Sequence, residues 1–350
     1  MIATVGRLLP ASIVAALLLS APPARAETVE QLYEKAKAEK TLVFYAGGPT
    51  APYEGRIKQF QEKFPGIQVS ITGGFSNVLN QNIEKQMADG KLEVDLALFQ
   101  TVQDFVNWKK RGVLLPFKPD GFDQIMPNLR DGDGAYMSFA ANAILYAYNT
   151  NLVRAEDVPK SALDFLKPAF HDKLISVYPH DDDAALYLFH TIVTKYGWDF
   201  MDKYQANKPN YIQGHLSVAR SVASGESIVT FDATSTPWQM KRDGQPIDAY
   251  FSPEDETPVF FVTGGIFKGA PHSNAAKLYL TWYLAKEQQS RTGTFSPRAD
   301  VTPPHGLNPL TSYKLANRYR EFMTDEKTVA ELRKRFESYT GPVVNRGGVR

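Results

Sequence analysis

Between residues 29 and 99, hydrophobic and polar positions follow two alternating periods. Apolar side chains spaced three or four apart, such as Ile57, Phe60 and Phe64, predict helices, while short continuous apolar runs bounded by Gly or Pro predict buried strands. The pattern predicts helices over 29–39, around 57–64 and around 79–87, and strands over 41–45, 66–72 and 94–99. Three successive strand–helix units indicate a largely parallel sheet covered by helices on both faces.

The same organisation continues beyond residue 140 without repeating the sequence. Apolar runs predict strands over 143–148, 173–178, 228–231 and 258–263, and longer segments predict helices over 184–196 and from Ser273 onward. These elements predict a second α/β lobe, followed by a return of the chain to the first lobe. The length of 350 residues agrees with about two domains.

The first 26 residues have the pattern of a secretory signal peptide. Arg7 is followed by the apolar run 11–19 and by the small-x-small sequence Ala-Arg-Ala at 24–26. A bilayer span needs about 20 apolar residues, so the run is too short for a retained membrane anchor, which is the alternative. We therefore expect cleavage after residue 26 and a mature protein in the periplasm.

Composition narrows the classes of function. The chain has no cysteine, which excludes thiol catalysis, Cys-ligated zinc, iron–sulfur clusters and lipid attachment to a cysteine after the cleavage site. With 39 basic and 38 acidic side chains, the net charge of +1 gives no electrostatic reason to expect binding to nucleic acid or to an anionic membrane.

Sequence motifs of enzymes are also missing. The patterns G-x-S-x-G, H-E-x-x-H, G-x-x-x-x-G-K-[ST] and G-x-G-x-x-G do not occur in the chain. We therefore expect that the protein is not an enzyme and that it binds no cofactor or structural metal. An enzyme, or a partner of a membrane receptor, on the same fold is the alternative.

In open parallel sheets, the ligand lies beyond the carboxyl ends of the strands. The predicted strands of the first lobe end in segments rich in glycine, hydroxyl and amide groups, with the candidate ligand-binding residues Tyr45, Gly47, Gly48, Gly74, Ser76, Asn77, Gln100 and Thr101. Glycines allow backbone N–H groups to approach a ligand, and the first turn of each following helix has unpaired donors. The alternative is that each segment is a tight turn that needs glycine whatever it binds.

Four segments of the chain carry a family resemblance. Residues 42–47 (LVFYAG) resemble a first strand with its ligand loop, and residues 148–153 (YNTNLV) resemble a hinge crossing. Residues 157–166 begin with DVPK and end with DFL, and residues 269–282 contain GAPH and AAKLYL. The segment 269–282 is the most specific of the four. In this order, they resemble the extracellular solute-binding proteins of bacterial ABC importers, in the class that includes ferric-iron, polyamine, thiamine and phosphate-ester binders.

The resemblance implies a two-lobed α/β fold of the periplasmic-binding-protein type, in which each lobe is a mainly parallel sheet flanked by helices. It implies a first lobe over 27–146 and 264–350, a second lobe over 151–250, and hinge strands at 147–150 and 259–263. The solute would lie in the cleft between the lobes, which close on it by hinge motion. The closed monomer would then be recognised by an inner-membrane ABC permease complex.

The candidate residues of the second lobe leave the charge of the solute open. Iron binders of this class typically carry an adjacent tyrosine pair on the loop that we place at 232–238, where this chain has Thr234, Thr236 and Trp238 but no tyrosine. Ferric ion prefers anionic oxygen ligands, so iron is the alternative rather than the expectation. Asn142 stands where anion-binding relatives often carry arginine, which weakens the case for a strongly anionic solute. Trp238 either stacks on the solute or belongs to the core.

Asp181, Asp182 and Asp183 form the most conspicuous charged cluster near the predicted cleft. They either recognise an ammonium, guanidinium or metal ion, or cap the helix that follows, because carboxylates satisfy free N–H groups and complement the helix dipole. We expect at least one of them to be the cap and include Asp181 and Asp182 among the ligand-binding candidates. Together, these predictions describe a transport protein that binds a small polar solute.

Overall fold

The computed structural model describes residues 27–292, 295–303 and 306–344. The predicted signal peptide at 1–26 lies outside these residues. The described helices are α1 (Val29–Glu39), α2 (Ala51–Lys63), α3 (Ser76–Ala88), α4 (Val102–Lys110), α5 (Asp183–Tyr196), α6 (Asp199–Ala206), α7 (His215–Ser224), α8 (Thr236–Arg242), α9 (Ser273–Leu284), α10 (Lys286–Gln289), α11 (Tyr319–Thr324) and α12 (Glu326–Thr340). The described strands are β1 (Thr41–Gly47), β2 (Gln68–Gly74), β3 (Leu96–Phe99), β4 (Met137–Ala143), β5 (Leu145–Asn149), β6 (Ile175–Val177), β7 (Asn210–Ile212), β8 (Val229–Ala233), β9 (Ile247–Tyr250), β10 (Thr257–Ile266) and β11 (Leu315–Ala316).

The first sheet has the strand order β11-β10-β3-β1-β2, and β4 pairs with β10. β1 is parallel to β2 and β3, as the strand–helix units predict, whereas β10 is antiparallel to β3 and β4. The parallel strands end at Gly47, Gly74 and Phe99. The turns that follow them therefore lie side by side along one edge of the sheet.

The second sheet is mixed. β5 is antiparallel to β8 and β9, while β6 is parallel to β7 and joins β8 through a parallel bridge between Leu174 and Val229. The expectation of a mainly parallel sheet fails at β5, because this strand enters directly from β4 with only Ile144 between them, and not through a crossover helix. β6, β7 and β8 run in one direction, so the turns after them also share an edge.

The last two helices contact helices of both sheets. α11 packs against α4, which follows β3, and against α5, which follows β6. α12 packs on α5, where the ring of Phe336 lies 5.7 Å from that of Phe189 and 5.0 Å from that of Trp198. The lobe and hinge boundaries stay a prediction, and residues 147–149 of the predicted first hinge lie within β5.

A continuous apolar core supports both sheets. α9 is buried almost all round, with Leu278, Tyr279 and Trp282 at most 3% exposed, and α1 covers it with Leu32 and Ala36. A helix that is apolar on every side belongs in the interior of a protein, and its burial stabilises the fold by the hydrophobic effect. Across the described residues, no helix combines the length and apolarity needed to cross a bilayer.

Candidate functional site

The turns after β1 and β2 are in close contact. The backbone N–H of Gly48 donates to the carbonyl of Gly74 at 2.7 Å. A Cβ atom on Gly47 would lie 2.5 Å from Oγ of Ser76, and one on Gly73 would lie 2.7 Å from the carbonyl oxygen of Gly48. Close approach of the two turns therefore requires glycine at these positions, which is the structural role that the sequence left open.

The other candidates near β1 and β2 are partly engaged by their neighbours. The hydroxyl of Tyr45 accepts a hydrogen bond from Nε2 of Gln86 on α3 at 2.9 Å. Oδ1 of Asn77 accepts the backbone N–H of Val78 at 2.9 Å, which is a local turn contact in an exposed position. Beside them, the large apolar side chain of Phe75 is 71% exposed.

The turn after β3 leads into α4 and towards the second sheet. Gln100 and Thr101 are half-buried, and the hydroxyl of Thr101 donates to Asp104 in the first turn of the helix. Burial raises the pKa of Asp104, against the effect of the hydrogen bond from Thr101. Two residues beyond Thr101, Nε2 of Gln103 donates to Oδ2 of Asp183 at 3.1 Å. This bond joins the strand-end edge of the first sheet to that of the second.

The three aspartates before α5 have three different partners. Asp182 is the N-cap, because its Oδ1 accepts the backbone N–H groups of Ala184 and Ala185 at 2.8 and 2.9 Å. Asp181 is exposed and accepts a hydrogen bond from Nε2 of Gln213 at 2.8 Å. Gln213 directly follows β7. Asp183 is paired with Arg333 of α12 in addition to Gln103. The cap predicted for one of these residues is therefore Asp182.

An ion pair that the sequence did not predict lies at the same edge. Nε2 of His215, the first residue of α7, lies 2.9 Å from Oδ1 of the fully buried Asp232 in β8. The other oxygen of Asp232 accepts the hydroxyl of Ser176 at 2.7 Å and the backbone N–H of Val177 at 2.9 Å. Burial lowers the pKa of His215, but the charges of Asp232 and Asp182 outweigh it and bring the pKa to about 9. His215 is therefore protonated at neutral pH.

Two of the remaining candidates, Asn142 and Trp238, line a small crevice at the passage between the sheets. Ser235 lies beside them in the same crevice. The hydroxyls of Thr234 and Thr236, the residues on either side of Ser235, lie 3.3 Å from each other. The indole N–H of Trp238 donates to the carbonyl of Ala249 at 2.7 Å, so its polar group is already occupied. Its ring also packs against the main core. Trp238 thus has the structural contacts that the sequence left as its alternative role.

A larger cavity of about 820 Å³ lies away from these residues, between α5, β11 and the last two helices. Its lining includes His190, whose ring stacks on Phe322 with a centroid distance of 4.7 Å. None of the candidate site residues predicted from the sequence belongs to its described lining. Within residues 27–292, 295–303 and 306–344, no group of three or more His, Asp or Glu side chains is placed to hold a metal ion.

Comparison with known proteins agrees with this arrangement. Residues 55–305 match the profile of the family described as bacterial extracellular solute-binding protein. A putative 2-aminoethylphosphonate-binding periplasmic protein of Salmonella paratyphi A is 26% identical over 303 residues, which cover 81% of this chain and 83% of that protein.

Two solved structures have a similar fold. Iron-bound HitA from Pseudomonas aeruginosa superposes with a TM-score of 0.70 at 19% identity, covering 85% of this chain and 99% of that one. The periplasmic binding protein AfuA from Actinobacillus pleuropneumoniae, with fructose-6-phosphate bound, superposes with a TM-score of 0.71 at 19% identity, covering 86% and 98%. These similarities confirm the predicted two-lobed α/β fold. Because the family match spans well over half of the chain, this protein belongs to the bacterial extracellular solute-binding proteins, the periplasmic binding components of ABC transporters.

Proposed function

We propose that this protein binds a small polar solute between the two strand-end edges, closes on it by hinge motion and delivers it to a membrane permease. In this proposal the signal peptide is cleaved after residue 26, and the mature protein acts in the periplasm as a monomer without enzymatic activity. The hydrogen bond between Gln103 and Asp183 is the observation that carries the proposal. It joins α4, which follows β3 in the first sheet, to the start of α5, which follows β6 in the second.

The connections between the two sheets favour hinge closure. The chain passes to the second sheet at Ile144, between β4 and β5, and returns over residues 251–256, between β9 and β10. After β11 it reaches α12, which packs on α5 of the second sheet. A hydrogen bond from an amide to a carboxylate contributes about 1.5–3 kcal/mol. That is the size of the free-energy difference between two conformations of a hinged protein. Contacts between the solute and both edges would therefore be enough to shift the protein towards the closed state.

The proposed site is formed by two sets of residues. Backbone groups of Gly47, Gly48 and Gly74 and the side chains of Ser76, Gln100 and Thr101 would form the half on the first sheet. The half on the second sheet would include Asn142, Asp181, Asp182, Thr234 and Thr236. HitA and AfuA are described with iron and with fructose-6-phosphate respectively, so similar folds hold different solutes. In this chain the loop after β8 has no tyrosine, and the hydroxyl of Tyr45 is bonded to Gln86, which does not favour ferric ion.

Closure can be measured by fluorescence energy transfer, because a chain without cysteine accepts two engineered dye sites. Lys58→Cys on α2 and Lys203→Cys on α6 place dyes on exposed positions beside the two sheets. We expect the small-molecule fraction of a periplasmic extract to raise the transfer efficiency. Without solute, Gln103→Leu should raise the ratio of open to closed molecules about tenfold, because tenfold corresponds to about 1.4 kcal/mol.

Gln239→Leu is the matched control, since its amide donates to Asp243 at 2.9 Å on a single side of the cleft. This variant should leave the transfer efficiency unchanged. No response of the dye pair to any extract would contradict hinge closure on a solute. An equal response of both glutamine variants would show that the bond between the two edges has no special role.

A further inference from the structure

We propose that the solute carries an organic cation, an ammonium group, which is received beside Asp182 by the side-chain oxygens of Gln103 and Tyr319. This inference rests on the proposed function and names the chemical class of the solute. It follows from three features of the strand-end edge of the second sheet: its charge, the occupation of its hydrogen-bond donors, and the free acceptors that remain.

The edge has an excess of negative charge. Its four carboxylates are those of Asp181, Asp182, Asp183 and Asp232, and its two cationic side chains are those of His215 and Arg333. The facing edge of the first sheet adds one more carboxylate, that of Asp104, and its other candidates are neutral. A positively charged solute would reduce the repulsion among these carboxylates, whereas an anion would increase it.

Beside Asp182, the donors of α5, His215 and Arg333 are already bound to the protein's own carboxylates. The free N–H groups at the start of α5 are occupied by Asp182. His215 is occupied by Asp232, and Arg333 by Asp183. An anionic solute beside Asp182 would have to displace one of these internal partners, and breaking a buried ion pair leaves an uncompensated charge behind.

Oxygen acceptors, in contrast, remain free. Both backbone bonds to Asp182 use Oδ1, and Oδ2 receives no hydrogen bond from the described residues. Oε1 of Gln103 is buried and has no partner within the described part of the chain. Buried polar atoms are rarely left without a partner, so Oε1 of Gln103 indicates a donor that arrives with the solute. An ammonium group has three N–H donors and no acceptor, which matches a site made of oxygens.

Tyr319 supplies the third oxygen from a distant part of the chain. Its side chain is 0% exposed, and its hydroxyl has no hydrogen-bond partner among the described residues. Tyr319 lies on α11, which packs against both α4 and α5, the helices that carry Gln103 and Asp183. Burial and the negative charges of Asp183 and Asp182 raise the pKa of its hydroxyl. Tyr319 begins α11, beyond the residues 55–305 that match the family profile. The proposed cation subsite therefore depends on a segment outside the matched region.

The decisive variant is Asp182→Asn. Asparagine caps a helix as well as aspartate does, so α5 keeps its N-cap while the site loses one negative charge. Asp172→Asn is the matched control, because Asp172 is exposed at the opposite end of β6 and its backbone φ of 60° suits asparagine. Both variants remove one carboxylate from the second sheet, and only Asp182→Asn alters the proposed subsite.

Binding is measured by thermal shift and calorimetry with paired probes of similar size. The cationic probes are ethanolamine, putrescine and 2-aminoethylphosphonate, and their counterparts without an ammonium group are ethylene glycol, 1,4-butanediol and ethylphosphonate. Inorganic phosphate, fructose 6-phosphate and ferric citrate complete the panel. We expect at least one ammonium compound to raise the melting temperature while its counterpart does not. Asp182→Asn should weaken that binding at least tenfold, and Asp172→Asn should leave it unchanged.

The outcomes separate this inference from the proposed function. Binding of phosphate, fructose 6-phosphate, ferric citrate or a probe without ammonium, with no response to any amine, would overturn the cation subsite and keep the solute-binding function. Amine binding that Asp182→Asn leaves intact would also overturn the subsite. If no probe binds and the dye pair stays silent with periplasmic extract, the proposed function fails and the inference fails with it.

Discussion

Replacing Asp255 by alanine should remove about 3–5 kcal/mol of unfolding free energy, because this carboxylate joins several elements near the passage between the sheets. One oxygen accepts the hydroxyl of Tyr146 in β5 and the backbone N–H of Ala162, both at 2.6 Å. The other oxygen accepts hydrogen bonds from Lys195 and Tyr196 at the end of α5. The residue itself is 5% exposed and lies two positions before β10.

The magnitude follows from what the substitution leaves behind. Tyr146 is 3% exposed and Ala162 is 0% exposed, so neither donor can turn to water. A buried donor left without a partner costs about 1–3 kcal/mol. Lys195 is 43% exposed and adds little, because solvent screens its charge. Loss of one partner from a buried ionic network typically costs about 3–5 kcal/mol, which agrees with the two unsatisfied donors.

Guanidinium unfolding of the purified mature protein measures this loss. Asp157→Ala is the control, because Asp157 forms an exposed ion pair with Arg154 and should cost less than about 1 kcal/mol. Burial raises the pKa of Asp255, but hydrogen bonds from Lys195, Tyr146 and Tyr196 outweigh it and hold the pKa below its ordinary value. Its contribution is therefore present above about pH 4 and is lost as the pH falls through the lower folded pKa. A loss below about 1 kcal/mol for Asp255→Ala would refute the reasoning.

Two further predictions test other parts of the structure. The folded pKa of His215, about 9, exceeds its ordinary value of 6.5, so its pairing with Asp232 stabilises the protein fully below pH 6.5 and is lost as the pH rises through 9. Unfolding free energy should fall by about 3 kcal/mol across that range in the wild type, and a parallel fall in His215→Asn would contradict the assignment. Gly264→Ala should destabilise the protein by about 1–3 kcal/mol, because a Cβ atom there would lie 2.3 Å from the ring of Phe139. Gly55→Ala, in open space on α2, should be neutral or stabilising by about 0.5–1 kcal/mol in the same unfolding assay, and equal effects of both glycine variants would refute this explanation.

The predicted elements held where the apolar pattern was long or dense. The helix predicted over 29–39 is α1, and the helix predicted over 184–196 is α5, which begins one residue earlier. The apolar run at 94–99 contains β3, which is buried on both faces by the packing of α/β layers. β7 and β9 were not predicted, because segments of three and four residues with polar members carry too little alternation to be recognised.

The candidate site, like the secondary structure, could be predicted from the sequence only in part. Its location at the strand ends, and a helix cap among the three aspartates before α5, followed from local sequence, because turns and caps depend on neighbouring residues. The pairing of His215 with Asp232 could not be predicted from spacing, although both residues stand at element boundaries beside the predicted edge. A single histidine and a single aspartate 17 residues apart carry no pattern that selects them from the other charged residues.

The sequence by itself determined the α/β class, the succession of strands and helices, and the family resemblance, because these depend on periodicity and on motifs within short stretches. Only the tertiary structure decided that Gln103, Asp183 and Arg333 meet, and that Tyr319 is buried on a helix that packs against α4 and α5. These residues come from α4, α5, α12 and α11, which are far apart in the chain. Their contacts depend on how whole helices pack, and no local pattern of polar and apolar residues encodes that packing.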